Sequence, residues 1–221
     1  MYTGYGEMCE PVVTWPLSKH EEEEATMSTG PCWIETIPEH KAEGRLREAY
    51  EQVGRPDGTV HNLYKAFSLW PTPMPWADAL YRAILHSDDS VLPKWFQELI
   101  ATQVAMLAGC DYAFTHHGAN FKALLGDEAR GEAMLQALRD GAPETLFDKR
   151  EAEILRYNAK LAEDPKAMSE ADIAALREAG VSDTEILEVN QISANFAYWV
   201  RVINGLGIQL GDEKVGRYAQ S

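Results

Sequence analysis

The chain has 221 residues, enough to bury a sizeable core, and carries 20 Lys and Arg against 35 Asp and Glu, a net charge of -15 at pH 7. Such an acidic surface repels phosphates and anionic lipids at long range, so nucleic acids and membranes are not expected as partners. No apolar run approaches the ~20 residues that span a bilayer. The start of the chain also lacks a secretion signal, so we expect a cytoplasmic protein.

Residues 1–31 differ in composition from the rest of the chain. They mix Gly and Pro with the acidic run Glu21–Glu24 and show no helical periodicity, which is typical of a flexible extension. Alternatively, four apolar side chains could form an arm that packs on a neighbouring subunit: Val12, Val13, Trp15 and Leu17. We expect a flexible extension over 1–31 and a folded domain over 32–221.

Helical periodicity begins after Pro38, and the first three helices are predicted over residues 39–54, 61–70 and 76–86. The first has an apolar stripe formed by Leu46, Tyr50 and Val53. The second ends at the chain breaker PTPMP. The third is expected to turn three side chains inward, which are Leu80, Ile84 and Leu85.

Further helical patterns follow over residues 92–109, 126–141, 148–165, 169–180 and 184–207. Ser169 and Ser182 begin capping-box patterns for the last two helices. The closing helix has a broad apolar band, which we expect to be too wide for one subunit to cover: Ile186, Val189, Ile192, Phe196, Trp199, Val200 and Ile203. No alternating β pattern occurs, so the fold class is predicted to be all-α.

Reactive side chains concentrate between Glu98 and Asn120. If this segment is helical, Cys110, Ala113 and His117 fall at i, i+3 and i+7 on one face. A break at Gly109 would let the two helices pack side by side and bring Glu98 close to Cys110 and His117. A thiol beside a base and a carboxylate predicts an activated cysteine. The alternative is a buried, inert cysteine and a hydrogen-bonded core histidine.

The spacing of Glu98, Cys110 and His117 resembles the signature of the AhpD-like alkylhydroperoxidase and carboxymuconolactone decarboxylase superfamily. CDYAFTHHG resembles its peroxidase-related branch, whose motif is Cys-x-x-Cys-x-x-His-His, and it matches this motif at Cys110, His116 and His117. The likeness extends from about residue 33 to 210. It fails at Ala113, where the family has the cysteine that attacks the peroxide.

The resemblance implies an AhpD-like all-α domain built around a two-helix hairpin, and thiol-dependent reduction of hydroperoxides without a cofactor. Glu98, Cys110 and His117 would be the catalytic residues, and the pocket would contain Tyr112, Ala113 and His116. With Ala113 in the motif, Cys110 would react alone. Its sulfenic acid would then be resolved by Cys9, by Cys32 or by an external thiol reductant.

Two other functions remain open. In the first, Glu98 and His117 act as acid and base in non-redox proton transfer on a small carboxylated or lactone-like compound, as in the decarboxylase arm of the superfamily. In the second, the protein is a catalytically inactive relative of the family's enzymes and binds a ligand in the pocket that is their active site. The resemblance, the apolar band and the aromatic residues near PTPMP favour a dimer-based homo-oligomer.

A metal site is not expected. His116 and His117 are adjacent on a predicted helix, where neighbouring side chains point about 100° apart. One ion could not easily use both.

Overall fold

The structure is a computed structural model that describes residues 30–85 and 87–216. Nearly all of the predicted extension, with Cys9 and its apolar residues, therefore lies outside the described residues. Within the described ranges there are nine α-helices and no β-strand, which confirms the all-α prediction. The helices are α1 (Gly44–Val53), α2 (Asn62–Lys65), α3 (Met74–Leu85), α4 (Lys94–Leu107), α5 (Asp111–Leu125), α6 (Glu128–Arg139), α7 (Lys149–Glu163), α8 (Glu170–Glu178) and α9 (Asp183–Leu206).

Helix boundaries follow local chemistry. The Ser182 side chain caps α9 by accepting a hydrogen bond from the Glu185 backbone N–H. The Glu185 carboxylate in turn accepts a hydrogen bond from the Ser182 backbone N–H, as the capping-box pattern predicts. Where such signals are weaker, the predicted bounds shift. The helix expected over 39–54 begins only at Gly44 after a 3-10 turn, and the one expected over 61–70 is the single turn of α2.

Helix α4 lies at the centre of the fold, with every residue from Phe96 to Ala105 buried. It packs along α5 and is also contacted by α7 and α9. The reversal between α4 and α5 requires the positive φ of Gly109, 57°, which a residue with a side chain rarely adopts. The predicted two-helix hairpin is thus present, and it places Glu98 on α4 opposite the residues of α5.

Two predictions about apolar faces are wrong. All seven residues of the α9 band are buried within the chain itself, because α3, α4 and α7 pack around that helix and cover both of its apolar sides. The band therefore gives no support for an oligomer. Leu80 was expected to face inward but is 53% exposed, whereas Leu85 is buried as predicted.

An apolar patch does remain on the surface around the start of α3. Trp70 and Trp76 are 71% and 76% exposed, and Leu69 and Leu80 are more than half exposed. Trp76 and Leu80 lie one turn apart on α3, so they share a face. Clusters of large exposed apolar side chains are typical of surfaces that bind other proteins. None of the helices in the described ranges is long and apolar enough to cross a membrane.

We predict that this patch contributes to a dimer. Replacing both Trp76 and Leu80 by Glu places charges in the interface, so the double variant is expected to have half the molar mass of the parent in light scattering at micromolar concentration. Leu187→Glu is the matched control, because Leu187 is also exposed but lies on α9. A parent of monomer mass would contradict the prediction.

Candidate active site

A cavity of about 550 Å³ lies against α5, and several residues of the motif line it. Its size falls in the range of small-molecule sites. Aromatic rings form much of its wall, namely Tyr64, Tyr81, Tyr112, Phe196 and Trp199. Polar groups interrupt that wall at Arg55, His61, Asp78, Arg82, His116, His117 and Asn120. The cavity can therefore enclose an organic molecule and present acid-base groups to it.

His117 and Glu98 form a polar pair between the cavity wall and the interior of the fold. Nδ1 of His117 lies 2.7 Å from Oε2 of Glu98, and Asn120 donates to the other carboxylate oxygen at 3.2 Å. Glu98 is only 1% exposed, and a buried carboxylate must be hydrogen-bonded to be tolerated. Because Glu98 accepts at both oxygens, it fixes the His117 proton on Nδ1. The lone pair of Nε2 is then the one available at the cavity that His117 lines.

Cys110 differs from its expected state. It is the N-cap residue of α5, is 1% exposed, and is not among the residues that line the cavity. Burial raises the pKa of its thiol; the Ala113 backbone N–H offsets this in part, and the charge of Asp111 adds to it. These features do not fit the predicted activated cysteine, which requires a lowered pKa, and they fit the alternative of a buried, inert cysteine. The motif spacing shows that residues share a helix face, but it does not show how deeply each is buried.

Ala113 stands where the motif departs from the family pattern. It lines the cavity one helical turn before His117, so the two form a stripe along α5. The side chain that reaches the cavity beside His117 is thus a methyl group. A residue at position 113 would contact a bound molecule, whereas Cys110 would not.

Tyr112 and His116 form a second stripe along α5 and also line the cavity, where the sequence predicted pocket residues. Their rings lie 4.8 Å apart between centroids. Burial lowers the pKa of His116, and its contact with Glu213 only partly offsets this. His116 therefore stays neutral near pH 7. The two adjacent histidines face different carboxylates, Glu213 and Glu98, as their helical angle requires.

A second carboxylate, Glu213, follows α9 and was not predicted from the sequence. Its Oε2 lies 2.9 Å from His61 Nδ1 and 2.8 Å from the Tyr112 hydroxyl, and its Oε1 accepts the Asn62 backbone N–H. Burial opposes ionisation, but the attraction of His116 and the hydrogen bonds from His61, Asn62 and Tyr112 outweigh it and lower the pKa of Glu213 to about 2. No local pattern marks Glu213, because its partners are distant in sequence.

A third polar group, also missed, lies on α3. Asp78 accepts the Tyr64 hydroxyl at 2.5 Å and the Arg82 Nε–H at 2.6 Å, and all three residues line the cavity. Burial and the negative charge of Asp78 raise the pKa of Tyr64 well above 10, so Tyr64 keeps its proton. The i, i+4 spacing of Asp78 and Arg82 was the available signal for their pairing.

No family model and no curated protein matches the sequence. Solved structures do match. An uncharacterized peroxidase-related protein from Silicibacter sp. TM1040 superposes with a TM-score of 0.71 at 25% identity, covering 88% of this chain and 98% of that one. A peroxidase-related protein from Ralstonia eutropha JMP134, described as an alkylhydroperoxidase AhpD core, gives 0.70 at 20% identity, covering 84% and 95%.

These neighbours place the chain in the AhpD-like superfamily, as the motif predicted. A variant of the debrominase Bmp8 in complex with 2,3,4-tribromopyrrole has the same fold, with a TM-score of 0.65 at 14% identity, covering 84% of this chain and 94% of that one. The fold is therefore found in proteins of different chemistry. The fold alone therefore does not define the chemistry of this chain.

Proposed function

We propose that the chain is an enzyme that transfers a proton on a small molecule bound in the cavity, with His117 as the general base. The observation that carries the proposal is the pair formed by the cavity-lining His117 and the buried Glu98, whose Nδ1 and Oε2 atoms lie 2.7 Å apart. A carboxylate that holds one imidazole nitrogen orients the ring and stabilises the imidazolium formed during the reaction. Glu98 is then a positioning residue.

In the proposed step, His117 Nε2 takes a proton from an acidic carbon next to a carbonyl. The electron pair of the broken C–H bond moves onto the carbonyl oxygen and gives an enolate. Return of the proton to another atom of the enolate completes the transfer, so nothing is oxidised or reduced. Small carboxylated or lactone-like carbonyl compounds, which the decarboxylase arm of the superfamily suggests, have such acidic carbons.

Thiol-dependent hydroperoxide reduction is the second candidate. The observation that favours it is the Ala113 backbone N–H, which stabilises the Cys110 thiolate at the start of α5. The thiolate would attack the O–O bond, releasing an alcohol and leaving a sulfenic acid. An external thiol would then form a mixed disulfide with loss of water. Burial of Cys110 outside the cavity lining makes this candidate the weaker one.

The two candidates are separated by a pair of assays on the parent protein and on Cys110→Ala. The first assay follows deuterium incorporation from D₂O into a panel of keto acids and unsaturated lactones by NMR. The second follows cumene hydroperoxide consumption with dithiothreitol. We expect deuterium incorporation in both proteins. Peroxide consumption that is lost in Cys110→Ala, with no deuterium incorporation, would favour the second candidate.

Alkylation of Cys110 gives a further prediction. Because the thiol is buried and its pKa is raised, iodoacetamide should modify Cys110 at pH 7 at least about tenfold more slowly in the native protein than in urea. His117→Gln should leave the native rate unchanged. Rapid native alkylation that slows in His117→Gln would show that the histidine activates the thiol. Mass spectrometry distinguishes Cys110 from Cys32.

A further inference from the structure

Glu213 contacts three side chains from two separate parts of the cavity wall. Its Oε2 lies 2.9 Å from Nδ1 of His61, which precedes α2, and 2.8 Å from the hydroxyl of Tyr112 on α5. Nε2 of His116 lies 3.4 Å from the same oxygen, too poorly aligned for a good hydrogen bond but close enough for attraction. Three cavity-lining groups thus converge on one carboxylate oxygen of the half-buried Glu213.

The other nitrogens of both histidines show where the ring protons are. Arg55 Nε lies 3.0 Å from His61 Nε2, and an arginine nitrogen can only donate. The Gly216 backbone N–H donates to His116 Nδ1 at 3.1 Å. Each of these two ring nitrogens must therefore offer a lone pair. In a neutral ring the proton is then on the nitrogen that faces Glu213.

We propose that Glu213 is a positioning residue that holds two cavity histidines in opposite neutral tautomers, Nδ1–H in His61 and Nε2–H in His116. Since Gly216 also lines the cavity and bonds His116, the same contacts fix the segment after α9 as part of the cavity wall. In His116, Nδ1 accepts from Gly216 and Nε2 carries the proton toward Glu213, so neither nitrogen offers a lone pair to a bound molecule. His117 remains the histidine with an available lone pair.

A metal ion is the main competing explanation for this cluster. Ligand atoms of His61, His116 and Glu213 lie within 4.8 Å of one another, and two imidazoles with a carboxylate form a common donor set. A metal would need lone pairs on the two nitrogens that face Glu213. A histidine that binds a metal through one ring nitrogen usually donates the N–H of its other ring nitrogen to a hydrogen-bond acceptor. Here those other nitrogens face donors, Arg55 and Gly216, which is the opposite arrangement.

The inference concerns the cavity of the proposed function, but its test needs no substrate. Two-bond ¹H–¹⁵N NMR spectra of the full chain, with ¹⁵N-labelled histidine, give the tautomer of each ring at pH 7. We expect an Nδ1–H pattern for His61, an Nε2–H pattern for His116, and no change when one equivalent of Zn²⁺ is added. The same tautomer in both rings would overturn the proposal, as would Zn²⁺-induced shifts of the two nitrogens that face Glu213.

Glu213→Gln and Asp212→Asn form a matched pair of variants. Each removes one negative charge from the same segment, but Asp212 is exposed, whereas Glu213 contacts His61 and His116. We expect Glu213→Gln to lose the single-tautomer patterns and to speed hydrogen exchange of the Gly216 amide at least about tenfold. Asp212→Asn should change neither, and Glu213→Asp should restore part of both.

Equal effects in Glu213→Gln and Asp212→Asn would show that only net charge matters, which would overturn the positioning role. The outcome for the proposed function is separate. If deuterium incorporation depends on His117 while the tautomers are unlike those expected, only the inference about Glu213 fails. If the tautomers are as expected and no candidate substrate incorporates deuterium, only the proposed function fails.

Discussion

His117→Gln is expected to lower the rate constant of proton transfer by about 10²–10⁴-fold, the usual contribution of a general base. The glutamine amide can still donate to Glu98, so the buried carboxylate keeps a partner. It cannot accept a proton from the substrate at neutral pH. We therefore expect kcat for deuterium incorporation to fall while KM changes little, as measured by NMR over a range of substrate concentrations.

His117→Ala is less informative because it leaves the buried Glu98 with one hydrogen-bond partner fewer, and leaving a buried acceptor unsatisfied costs about 1–3 kcal/mol or more. His40→Ala is the appropriate control, since His40 is exposed. Glu98→Gln should lose much of the same activity, and the double variant His117→Gln with Glu98→Gln should be little worse than either alone. Unchanged kcat in His117→Gln would remove His117 from the mechanism.

Ala113→Cys is expected to raise hydroperoxide consumption from background to at least about tenfold above it, with a dithiol as reductant. The new thiol would lie in the cavity wall one turn from His117. Cβ atoms at i and i+3 in a helix are about 5–6 Å apart, whereas a disulfide requires about 3.5–4.5 Å. Cys110 is the N-cap, with non-helical φ and ψ of -99° and 87°, so small backbone changes there can close this gap.

Ala113→Ser is the control for this variant, because it has nearly the same size and a polar group but no thiol. It should consume no peroxide above background. A folded Ala113→Cys protein that is equally inactive would show that the cavity has diverged from a peroxidase beyond its missing cysteine. Proton transfer would then be the better supported function.

Local patterns predicted much of the fold. The hairpin of α4 and α5 could be placed because apolar periodicity and Gly109 mark both helices and their turn, and α9 because a capping box starts it. Periodicity shows that a helix has an apolar face but not what covers it. The band of α9 was therefore assigned to a partner, although α3, α4 and α7 bury it.

The residues of the candidate site also differ in how far the sequence could predict them. Glu98, Tyr112, Ala113, His116 and His117 could be identified because they lie within one short segment with helical spacing. The remaining polar groups come from distant segments with no motif of their own, and the sequence did not reveal them: Arg55, His61, Asp78 and Arg82 in the cavity wall, and Glu213 in contact with that wall. The burial of Cys110 likewise depends on tertiary packing, so the local sequence could not predict it.

The position of Glu213 after α9 also sets the order in which the protein is assembled during synthesis. Every described helix leaves the ribosome before Glu213 does, so the helices can pack while the cavity still lacks one wall. The cavity is completed only when the following segment docks onto His61 and His116. A protease cut near residue 210 would therefore separate Glu213 and Gly216 from the helices and free this side of the cavity from the contacts that hold His61 and His116.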